Sequence, residues 1–342
     1  REALSYLCEG FYGWPSRGLK IIGITGTNGK TSTTFMLHSI LKHAGLKAHV
    51  MGTLGFGEPG ALSPLRHTTT EPEVLSACLS QQRKAGISHI AMEVSSHALA
   101  QKRVAAIHFA AVAFSNLTHE HLDFHQTMDN YRRAKESLFK LAHKEALKIL
   151  PRDHPLDRAI DELPGIYLFD PNESLPVGLP LFGDFQKKNA LLALHIAKAL
   201  GIDDQSIALG LQSCPKIPGR LEPVFMTGPI VLVDFAHTPD ALRNVLQALK
   251  LKKRGKLIVV FGCGGDRDQQ KRPLMGNVVG ELADRIYVTD DNPRNEDPKW
   301  IRAAILAGIK KTCDVYEIAD RKCAIHAAIK SAAHEDVVLI AG

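Results

Sequence analysis

The chain has 342 residues, of which 45% are hydrophobic, so we expect a globular protein of two or three domains. Its formal net charge of +6 is mild and dispersed and does not indicate a nucleic-acid partner, and no run of about 18 uncharged apolar residues predicts a membrane span. Six scattered cysteines without a Cys-x-x-Cys pair indicate neither a zinc knuckle nor a disulfide framework, and they fit a reducing cytoplasm.

Strand-like and helix-like runs alternate through the first two thirds of the chain. The predicted strands are 19–26, 89–96 and 107–117, and the predicted helices are 30–46 and 131–142. Such alternation predicts an α/β fold in which helices cover both faces of a mostly parallel sheet. Residues 143–185 have weak periodicity, and this stretch could contain a junction between separate pieces of a longer chain.

A boundary rich in Pro and Gly at 214–220 precedes a second α/β pattern. The predicted strands here are 228–235, 256–262, 284–291, 314–319 and 336–342, and the predicted helices are 239–252, 273–283, 298–311 and 320–333. The first 17 residues are too few for a domain of their own. Because the last predicted strand ends with the chain, we also expect the sequence to be part of a longer one.

The predicted strand 19–26 leads through a glycine-containing loop into the first helix. Glycines let backbone N–H groups approach phosphate oxygens, and a helix N-terminus adds a partial positive charge. Lys30 suits the outer phosphates of a nucleotide, and the Thr31 hydroxyl suits Mg²⁺. The spacing is shorter than G-x-x-x-x-G-K-[ST] because position 24 is Ile, and a tight turn with a chance lysine is the alternative. The predicted nucleotide contacts in this loop are Gly26, Thr27, Asn28, Gly29, Lys30, Thr31 and Ser32.

Glu93 stands at the end of the predicted strand 89–96, where doubly wound sheets bind ligands, and its carboxylate suits Mg²⁺. An acid at a helix start or in a turn is the alternative. Residues 119–125 contain three His and one Asp, but zinc ligands at this spacing need a loop geometry, and no Cys accompanies them. Lys135 lies on a charged helix, where a lysine is ordinarily solvated.

The string TGTNGKT at 25–31 resembles the ATP loop of the Mur ligases and of the folylpolyglutamate synthases, which share an acyl-phosphate mechanism. The string SNLTHEHLDFH at 115–125 resembles a Mur ligase pattern in which Asn116 lies near the nucleotide and His121 contacts a second Mg²⁺. The resemblance further implies that Lys135 is carbamylated, which turns its amine into an oxygen ligand. The implied catalytic residues are Lys30, Glu93, His121 and Lys135, and the implied Mg²⁺ ligands are Thr31, Glu93, His121 and carbamylated Lys135.

Two further strings resemble places where Mur ligases bind a muramoyl-peptide. They are HTTTEP at 67–72, for which a Thr-rich turn or an alignment shifted by one residue is the alternative, and EVSSHALAQKR at 93–103. The Arg103 guanidinium suits a substrate carboxylate, and a surface salt bridge is its alternative use. The implied contacts with this substrate are Thr68, Thr69, Ser95, Gln101 and Arg103.

In the second α/β unit, GRLE at 219–222 and DFAHTP at 234–239 resemble Mur ligase segments at the domain boundary and near ATP. The glycine-rich stretch 261–273 is not a dinucleotide fingerprint, because its glycines do not give G-x-G-x-x-G, and three charged residues in it could be simple surface charges. Those three residues are Asp266, Asp268 and Lys271. The implied nucleotide contacts outside the loop at 26–32 are Asn116, Arg220, Asp234 and His237.

The most discriminating string is Asp-Asn-Pro-Arg at 291–294, which by itself predicts an Asn-Pro turn. In Mur ligases this loop selects the added amino acid, and an arginine here accompanies meso-diaminopimelate, whose distal carboxylate lysine lacks. Gly342 aligns with the glycine of the family's A-G-K-G-H-E segment, whose following residues are absent here. The implied contacts with the incoming amino acid are Arg267, Asp291, Asn292, Pro293, Arg294 and Gly342.

The resemblance implies a P-loop-type ATP-binding domain over 18–216, a Rossmann-like α/β domain over 217–342, and a remnant of a UDP-binding domain over 1–17. It implies a cytoplasmic, monomeric ligase that uses ATP and Mg²⁺ to join meso-diaminopimelate to UDP-N-acetylmuramoyl-L-alanyl-D-glutamate in peptidoglycan synthesis. Three alternatives stay open: a lysine-adding Mur ligase, a folylpolyglutamate synthase, and a non-catalytic ATP-binding regulatory module. Arg294 disfavours the first, and the HTTTE and DNPR strings disfavour the second.

Overall fold

The computed structural model describes residues 1–181, 183–310 and 313–342. Within them the chain forms two compact units. The first unit contains Arg1–Leu117, Thr127–Pro180 and Phe185–Pro215, and the second contains Thr118–Gln126, Leu181–Asp184 and Lys216–Gly342. The main crossing between the units falls at Pro215–Lys216, beside the predicted domain boundary. The predicted domain assignments, including that of 1–17, stay predictions.

Strands and helices alternate along the chain, and the mixed α/β fold predicted from the sequence is confirmed. The strands are β1 (Lys20–Thr25), β2 (Ala48–Gly52), β3 (Gly55–Gly57), β4 (His89–Glu93), β5 (Phe109–Phe114), β6 (Leu147–Pro151), β7 (Ile166–Phe169), β8 (Glu222–Phe225), β9 (Ile230–Asp234), β10 (Leu257–Phe261), β11 (Arg285–Val288), β12 (Asp314–Glu317) and β13 (Val337–Ala341). The helices are α1 (Glu2–Phe11), α2 (Lys30–His43), α3 (Pro72–Lys84), α4 (Ser96–Ala100), α5 (Leu122–His125), α6 (Met128–Leu141), α7 (Asp184–Ala199), α8 (Asp204–Gln212), α9 (Pro239–Lys250), α10 (Lys271–Leu282), α11 (Pro298–Leu306) and α12 (Arg321–Lys330).

The sheet of the first unit has the strand order β3-β2-β4-β1-β5-β6-β7, and its described neighbours pair in parallel except β2 with β3. β1 lies in the middle of the sheet and is almost wholly buried. The register pairs Ile24 of β1 with Glu93 of β4, and Thr25 of β1 with Phe114 of β5. The loops that follow these three strands therefore leave one edge of the sheet side by side.

The sheet of the second unit has the order β12-β11-β10-β13-β9-β8, and its described neighbours are parallel except β8 with β9. Ala341 of β13 pairs with both Asp234 of β9 and Phe261 of β10, and Phe261 pairs with Val288 of β11. The carboxyl ends of four strands consequently meet at one edge, where α/β sheets bind ligands.

Helix α2 is buried along most of its length, from Thr31 to Leu41, although its apolar residues follow only a partial helical spacing. The reason is that α2 contacts β1, β2 and β4 on one side and α8 on the other. The Ser39 hydroxyl donates to the Gly210 carbonyl of α8 at 2.7 Å, which satisfies a polar group inside this layer. The helix that follows the glycine-containing loop is therefore held on two sides.

The weakly periodic stretch 143–185 contains two parallel strands, β6 and β7. Lys148 interrupts the apolar run of β6, yet its side chain is only 1% exposed. Its Nζ donates to three backbone carbonyls, those of His143, Ala146 and Pro164, at 3.0, 3.0 and 2.8 Å. A buried ammonium that is satisfied in this way can occupy a strand of the sheet.

Other elements also lack a strong pattern in the sequence. The short strands β2, β3, β6, β7 and β8 and the helices α1, α3, α4, α5, α7 and α8 were not predicted. The helix predicted at 298–311 ends at Leu306, and position 311 lies outside the described residues. No helix in the described part of the chain is long and apolar enough to cross a membrane.

Candidate active site

The loop between β1 and α2 needs glycine at two positions. Gly26 has φ 144° and Gly29 has φ 86°, in a region that residues with a side chain rarely adopt. A Cβ atom on Gly26 would lie 1.8 Å from Ser115 Oγ, and one on Gly29 would lie 2.1 Å from Asn189 Oδ1. Both the backbone conformation and the close approach of neighbours therefore fix glycine here.

The end of β5 holds this loop through backbone and side-chain hydrogen bonds. The N–H groups of Thr27 and Asn28 donate to the carbonyl and the side-chain oxygen of Asn116, both at 2.9 Å. The Asn28 carbonyl accepts from Ser115 Oγ at 2.7 Å and from Asn116 Nδ2 at 3.1 Å. Asn116, predicted to lie near the nucleotide, thus contacts the loop itself, and Tyr131 contacts it through the Thr27 hydroxyl at 3.1 Å.

Lys30 begins α2 and bends back over the loop. Its Nζ donates to the carbonyl oxygens of Gly26 and Thr27 at 2.8 and 2.9 Å. The ammonium therefore lies over the backbone that the sequence predicts as a phosphate cradle, at a helix N-terminus that favours anions. Thr31 and Ser32 are buried in the same first turn.

Glu93 is a buried carboxylate, 2% exposed, beside this turn. Its Oε1 accepts from Thr31 Oγ1 at 3.0 Å and from the Thr53 N–H at 2.9 Å, and its Oε2 accepts from Thr53 Oγ1 at 3.1 Å. Glu93 ends β4, whereas the residue that caps α4 is Ser95, so the alternative of a helix-start acid is wrong.

The donor set formed by Thr31 and Glu93 fits Mg²⁺. This ion prefers oxygen ligands, and beside nucleotides it is usually held by one or two protein groups together with phosphate oxygens and water. In the described residues, no group of three or more His, Cys, Asp and Glu side chains could form an all-protein metal site. The zinc alternative at 119–125 therefore has no such cluster among the described residues to support it.

Lys135 is 1% exposed, so its interpretation as a solvated lysine is wrong. Its Nζ lies 4.4 Å from the centre of the Tyr131 ring, one turn earlier on α6. Tyr131 also contacts Thr27 of the glycine loop, so Lys135 is connected to that loop through the Tyr131 side chain. Its carbamylation stays a prediction.

The predicted peptide-substrate residues of the first unit form one hydrogen-bonded network with Glu93. Thr68 Oγ1 lies 3.0 Å from Thr53 Oγ1, the hydroxyl that bonds Glu93. Thr69 Oγ1 donates to the Glu93 carbonyl at 2.8 Å and accepts from the Ser95 N–H at 2.9 Å. The register of Thr68 and Thr69 expected from the sequence therefore places both of them against the strand end.

Arg103 is 8% exposed and is hydrogen-bonded to this network. Its Nη1 donates to the Thr69 carbonyl at 2.8 Å, and its Nε and Nη2 donate to Gln101 Oε1 at 3.0 and 2.7 Å. Its Nη2 also pairs with Glu71 at 2.8 Å. Burial lowers the pKa of the guanidinium, and the Glu71 carboxylate opposes that change. Arg103 therefore does form a salt bridge, the alternative use that the sequence allowed. Its own side chain is buried, whereas that of Glu71 is partly exposed.

Asp234, one of the predicted nucleotide contacts of the second unit, is held by two backbone hydrogen bonds. Its carboxylate accepts from the Leu221 N–H at 2.7 Å and from the Ala236 N–H at 2.8 Å. Burial raises the pKa of this carboxyl, and the nearby Arg220 opposes the rise. The Arg220 guanidinium lies 5.0 Å from the centre of the Phe235 ring, a cation–π distance.

The histidine-rich segment belongs to the second unit. His119 Nε2 lies 2.8 Å from Asp268 Oδ2, and His237 Nε2 lies 2.7 Å from Glu120 Oε1. His121 Nε2 lies 3.5 Å from Glu120 Oε2, and its assignment as a metal ligand stays a prediction.

Two of the three residues that the sequence allowed as simple surface charges are buried. Asp268 and Lys271 are each 7% exposed, so that interpretation is wrong for both. Lys271 Nζ donates to the His237 carbonyl at 2.9 Å, and Asp268 pairs with His119.

The predicted amino-acid contacts collect at the carboxyl edge of the second sheet. Arg294 is exposed, and its Nη1 donates to the Gly265 carbonyl at 2.7 Å. Gly342 follows β13 and donates its N–H to the Asp234 carbonyl at 3.2 Å. The remaining members of this set that are exposed are Arg267, Asp291 and Asn292, while Pro293 is half-buried.

A glycine loop at a helix N-terminus, a lysine over it and a carboxylate on the adjacent strand define a nucleotide-binding α/β protein. Residues 24–168 match the Mur ligase middle domain, and residues 219–342 match the glutamate ligase domain of Mur ligases. The UDP-N-acetylmuramoyl-L-alanyl-D-glutamate--2,6-diaminopimelate ligase of Synechocystis sp. is 40% identical, over 98% of this chain and 73% of that protein. The chain therefore belongs to the Mur ligase family of ATP-dependent ligases, and the family expected from the sequence is confirmed.

Solved structures agree with this assignment. A ligase structure of the same name is 31% identical, with a TM-score of 0.67, over 100% of this chain and 77% of that one. A Mycobacterium tuberculosis folylpolyglutamate synthase complexed with ADP and AMPPCP has a TM-score of 0.81 over 99% of this chain and 92% of that one, but only 16% identity. At that identity the likeness shows a shared fold and nothing about substrate.

Replacing Gly29 with alanine should weaken ATP binding about tenfold or more, because the added Cβ meets Asn189 and the backbone is strained by on the order of 1–3 kcal/mol. Gly45→Ala is the matched control, since Gly45 follows the other end of α2 with φ 74° and has nothing within 4 Å of an added Cβ. Calorimetric titration with ATP and Mg²⁺ should show wild-type affinity for the control. Wild-type affinity for Gly29→Ala would contradict the assignment of the loop.

Proposed function

We propose that this protein joins meso-diaminopimelate to the D-glutamyl γ-carboxylate of UDP-N-acetylmuramoyl-L-alanyl-D-glutamate, using ATP and Mg²⁺, in cytoplasmic peptidoglycan synthesis. The observation that carries the proposal is the exposed guanidinium of Arg294, fastened to Gly265 at the carboxyl edge of the second sheet. The names of the relatives, several of which are about 40% identical, support the same reaction.

The nucleotide is bound in this proposal by the amides of the glycine loop, the N-terminus of α2 and the Lys30 ammonium. The residues of the first unit that would hold Mg²⁺ are Thr31, Glu93 and carbamylated Lys135, and His121 of the second unit is proposed separately as the ligand of a second Mg²⁺. When bound, the ion neutralises charge on the transferring phosphoryl group. Hydrogen bonds from Thr31 and Thr53 hold the Glu93 carboxylate beside the first turn of α2.

The muramoyl-peptide lies in this proposal against Thr68, Thr69 and Ser95. The Ser95 hydroxyl accepts from the Ala98 N–H at 3.2 Å, which leaves its own hydrogen as a donor for the substrate. Gln101 and Arg103 are the other proposed contacts with this substrate, and Arg103 also donates to the Thr69 carbonyl. The γ-carboxylate attacks the γ-phosphorus of ATP, its O–P bond forms as the bond to ADP breaks, and the product is an acyl phosphate.

The amine of diaminopimelate then attacks the acyl carbon. A C–N bond forms, the C–O bond to phosphate breaks, and the nitrogen loses a proton as phosphate departs. In this proposal Arg267, Asp291 and Asn292 orient the amino acid, together with Pro293 and Gly342. Arg294 pairs with its distal carboxylate, so lysine, which lacks that carboxylate, would not make this ion pair, and much of the rate gain comes from positioning.

The first experiment measures phosphate release by the intact protein with ATP and UDP-N-acetylmuramoyl-L-alanyl-D-glutamate, with meso-diaminopimelate and L-lysine in parallel. Release only with meso-diaminopimelate would support the proposal. Release only with lysine would keep the ligase and overturn the role of Arg294. Release with neither would favour a folate substrate or a regulatory module.

Replacing Arg294 with alanine should lower kcat/KM for meso-diaminopimelate by about 100-fold, because a charge-assisted pair is lost, while KM for ATP changes by less than about twofold. Arg243→Ala is the control, since Arg243 is also a surface arginine of this unit and pairs with Glu281 at 3.0 Å. If Arg294→Ala impaired the use of ATP as much as the use of meso-diaminopimelate, the assignment of Arg294 to the amino acid would be wrong.

Replacing Lys135 with methionine should lower kcat by about 100-fold, because an anionic ligand next to the transferring group is removed. Supplying ¹³C-bicarbonate should give the wild type a carbamate carbon resonance that Lys135→Met lacks. Lys140→Met, at an exposed position of the same helix, should keep both the rate and the resonance. A resonance that persists in Lys135→Met would place the carbamate elsewhere.

A further inference from the structure

An ion pair between Arg272 and Glu296 joins the first turn of α10 to one of the two loops that carry the proposed amino-acid contacts. Arg272 Nη1 donates to Glu296 Oε2 at 2.9 Å and its Nη2 to Oε1 at 2.7 Å, a two-point arrangement that fixes direction as well as distance. The Arg272 side chain is 4% exposed and that of Glu296 is 20% exposed. Because Arg272 lies in the first turn of α10, the carboxylate is anchored to a regular element.

The same carboxylate reaches the opposite loop through its backbone. Glu296 Oε1 accepts from the Asp266 N–H at 2.6 Å. In return, Asp266 Oδ2 accepts from the N–H of Asn295 at 3.3 Å and from its side-chain Nδ2 at 2.7 Å. The segments 264–268 and 291–297 are thereby linked in both directions. The pairing with Arg272 also holds the pKa of Glu296 below its ordinary value, so this carboxylate stays charged at neutral pH.

Both linked loops contain strained backbone. Asp266 and Arg294 each have φ 50°, in the left-handed region that non-glycine residues seldom occupy. Gly265 lies against the other loop so closely that a Cβ would be 1.9 Å from the Pro293 carbonyl oxygen. Such conformations persist only where surrounding contacts enforce them. Two of the contacts that do so here involve Glu296: its Oε1 accepts from the Asp266 N–H, and its own N–H donates to the Pro293 carbonyl, beside Arg294, at 3.0 Å.

We propose that Arg272 and Glu296 are positioning residues that hold Arg294 in the conformation that recognises the distal carboxylate, and so set the preference for meso-diaminopimelate over lysine. The inference rests on the proposed function. Neither side chain is assigned a contact with substrate. They act through the backbone of Asp266 and of the residues next to Arg294.

The test compares Arg272→Met and Glu296→Gln with the wild type by phosphate release. For Arg272→Met, KM for meso-diaminopimelate should rise about tenfold or more and the kcat/KM preference over lysine should fall by a similar factor, since hydrogen bonds to a charged group are lost. KM for ATP should stay within about twofold of the wild type. Glu296→Gln keeps one oxygen for the Asp266 amide, so its effects should be smaller but in the same direction.

Arg285→Met is the matched control, because Arg285 also pairs with a carboxylate, that of Asp314, at 3.0 Å, at the edge of the same sheet. Hydrogen exchange of the intact protein supplies a second readout: amides in 264–268 and 291–297 should exchange faster in Arg272→Met and not in Arg285→Met. If Arg272→Met does not fold, the KM and the selectivity of Glu296→Gln test the inference.

Unchanged KM and unchanged selectivity in folded variants would overturn the inference, and so would a fall in kcat alone. Absence of diaminopimelate-dependent release by the wild type is a different result, since it would overturn the proposed function and the inference together.

Discussion

Parallel pairing in register is the constraint on which the candidate site of each unit depends. Neighbouring strands run in one direction, so β1, β4 and β5 end at one edge of the first sheet, and β9, β10, β11 and β13 end at one edge of the second. Residues distant in sequence become neighbours there. Glu93 accepts from Thr31, and Gly265 accepts from Arg294. The strands supply little chemistry themselves, but they decide which loops meet.

Features that follow directly from a strand were the ones that the sequence predicted well. An apolar run, a glycine loop and a helix report on local structure, so β1, the loop at 26–29 and α2 were expected from pattern alone. The place of Glu93 at the end of β4 followed in the same way. The pairing of an arginine with a particular amino acid came from family resemblance, because no local pattern encodes the shape of a ligand.

Features set by packing between distant elements were not predictable. Thr53 follows a five-residue strand with no distinguishing pattern, yet it bonds both oxygens of Glu93. Nothing in the sequence distinguishes Tyr131 from other core aromatic residues, or Asn189 from other polar residues of a helix. Lys135 stands among charged neighbours in the sequence, which predicts a solvent-exposed side chain, whereas the fold buries it. In each case the deciding contact comes from another part of the chain, so the sequence near the residue does not contain it.

The hydrogen bonds from Ser115 and Asn116 to the glycine loop have a consequence for affinity. They order the backbone of residues 26–29 during folding, so the conformational entropy of those four residues, on the order of 4–8 kcal/mol, is not lost when phosphate arrives. Nucleotide binding is thereby coupled to the stability of β5. Loosening the end of that strand would weaken nucleotide binding even though every group of the glycine loop is still present.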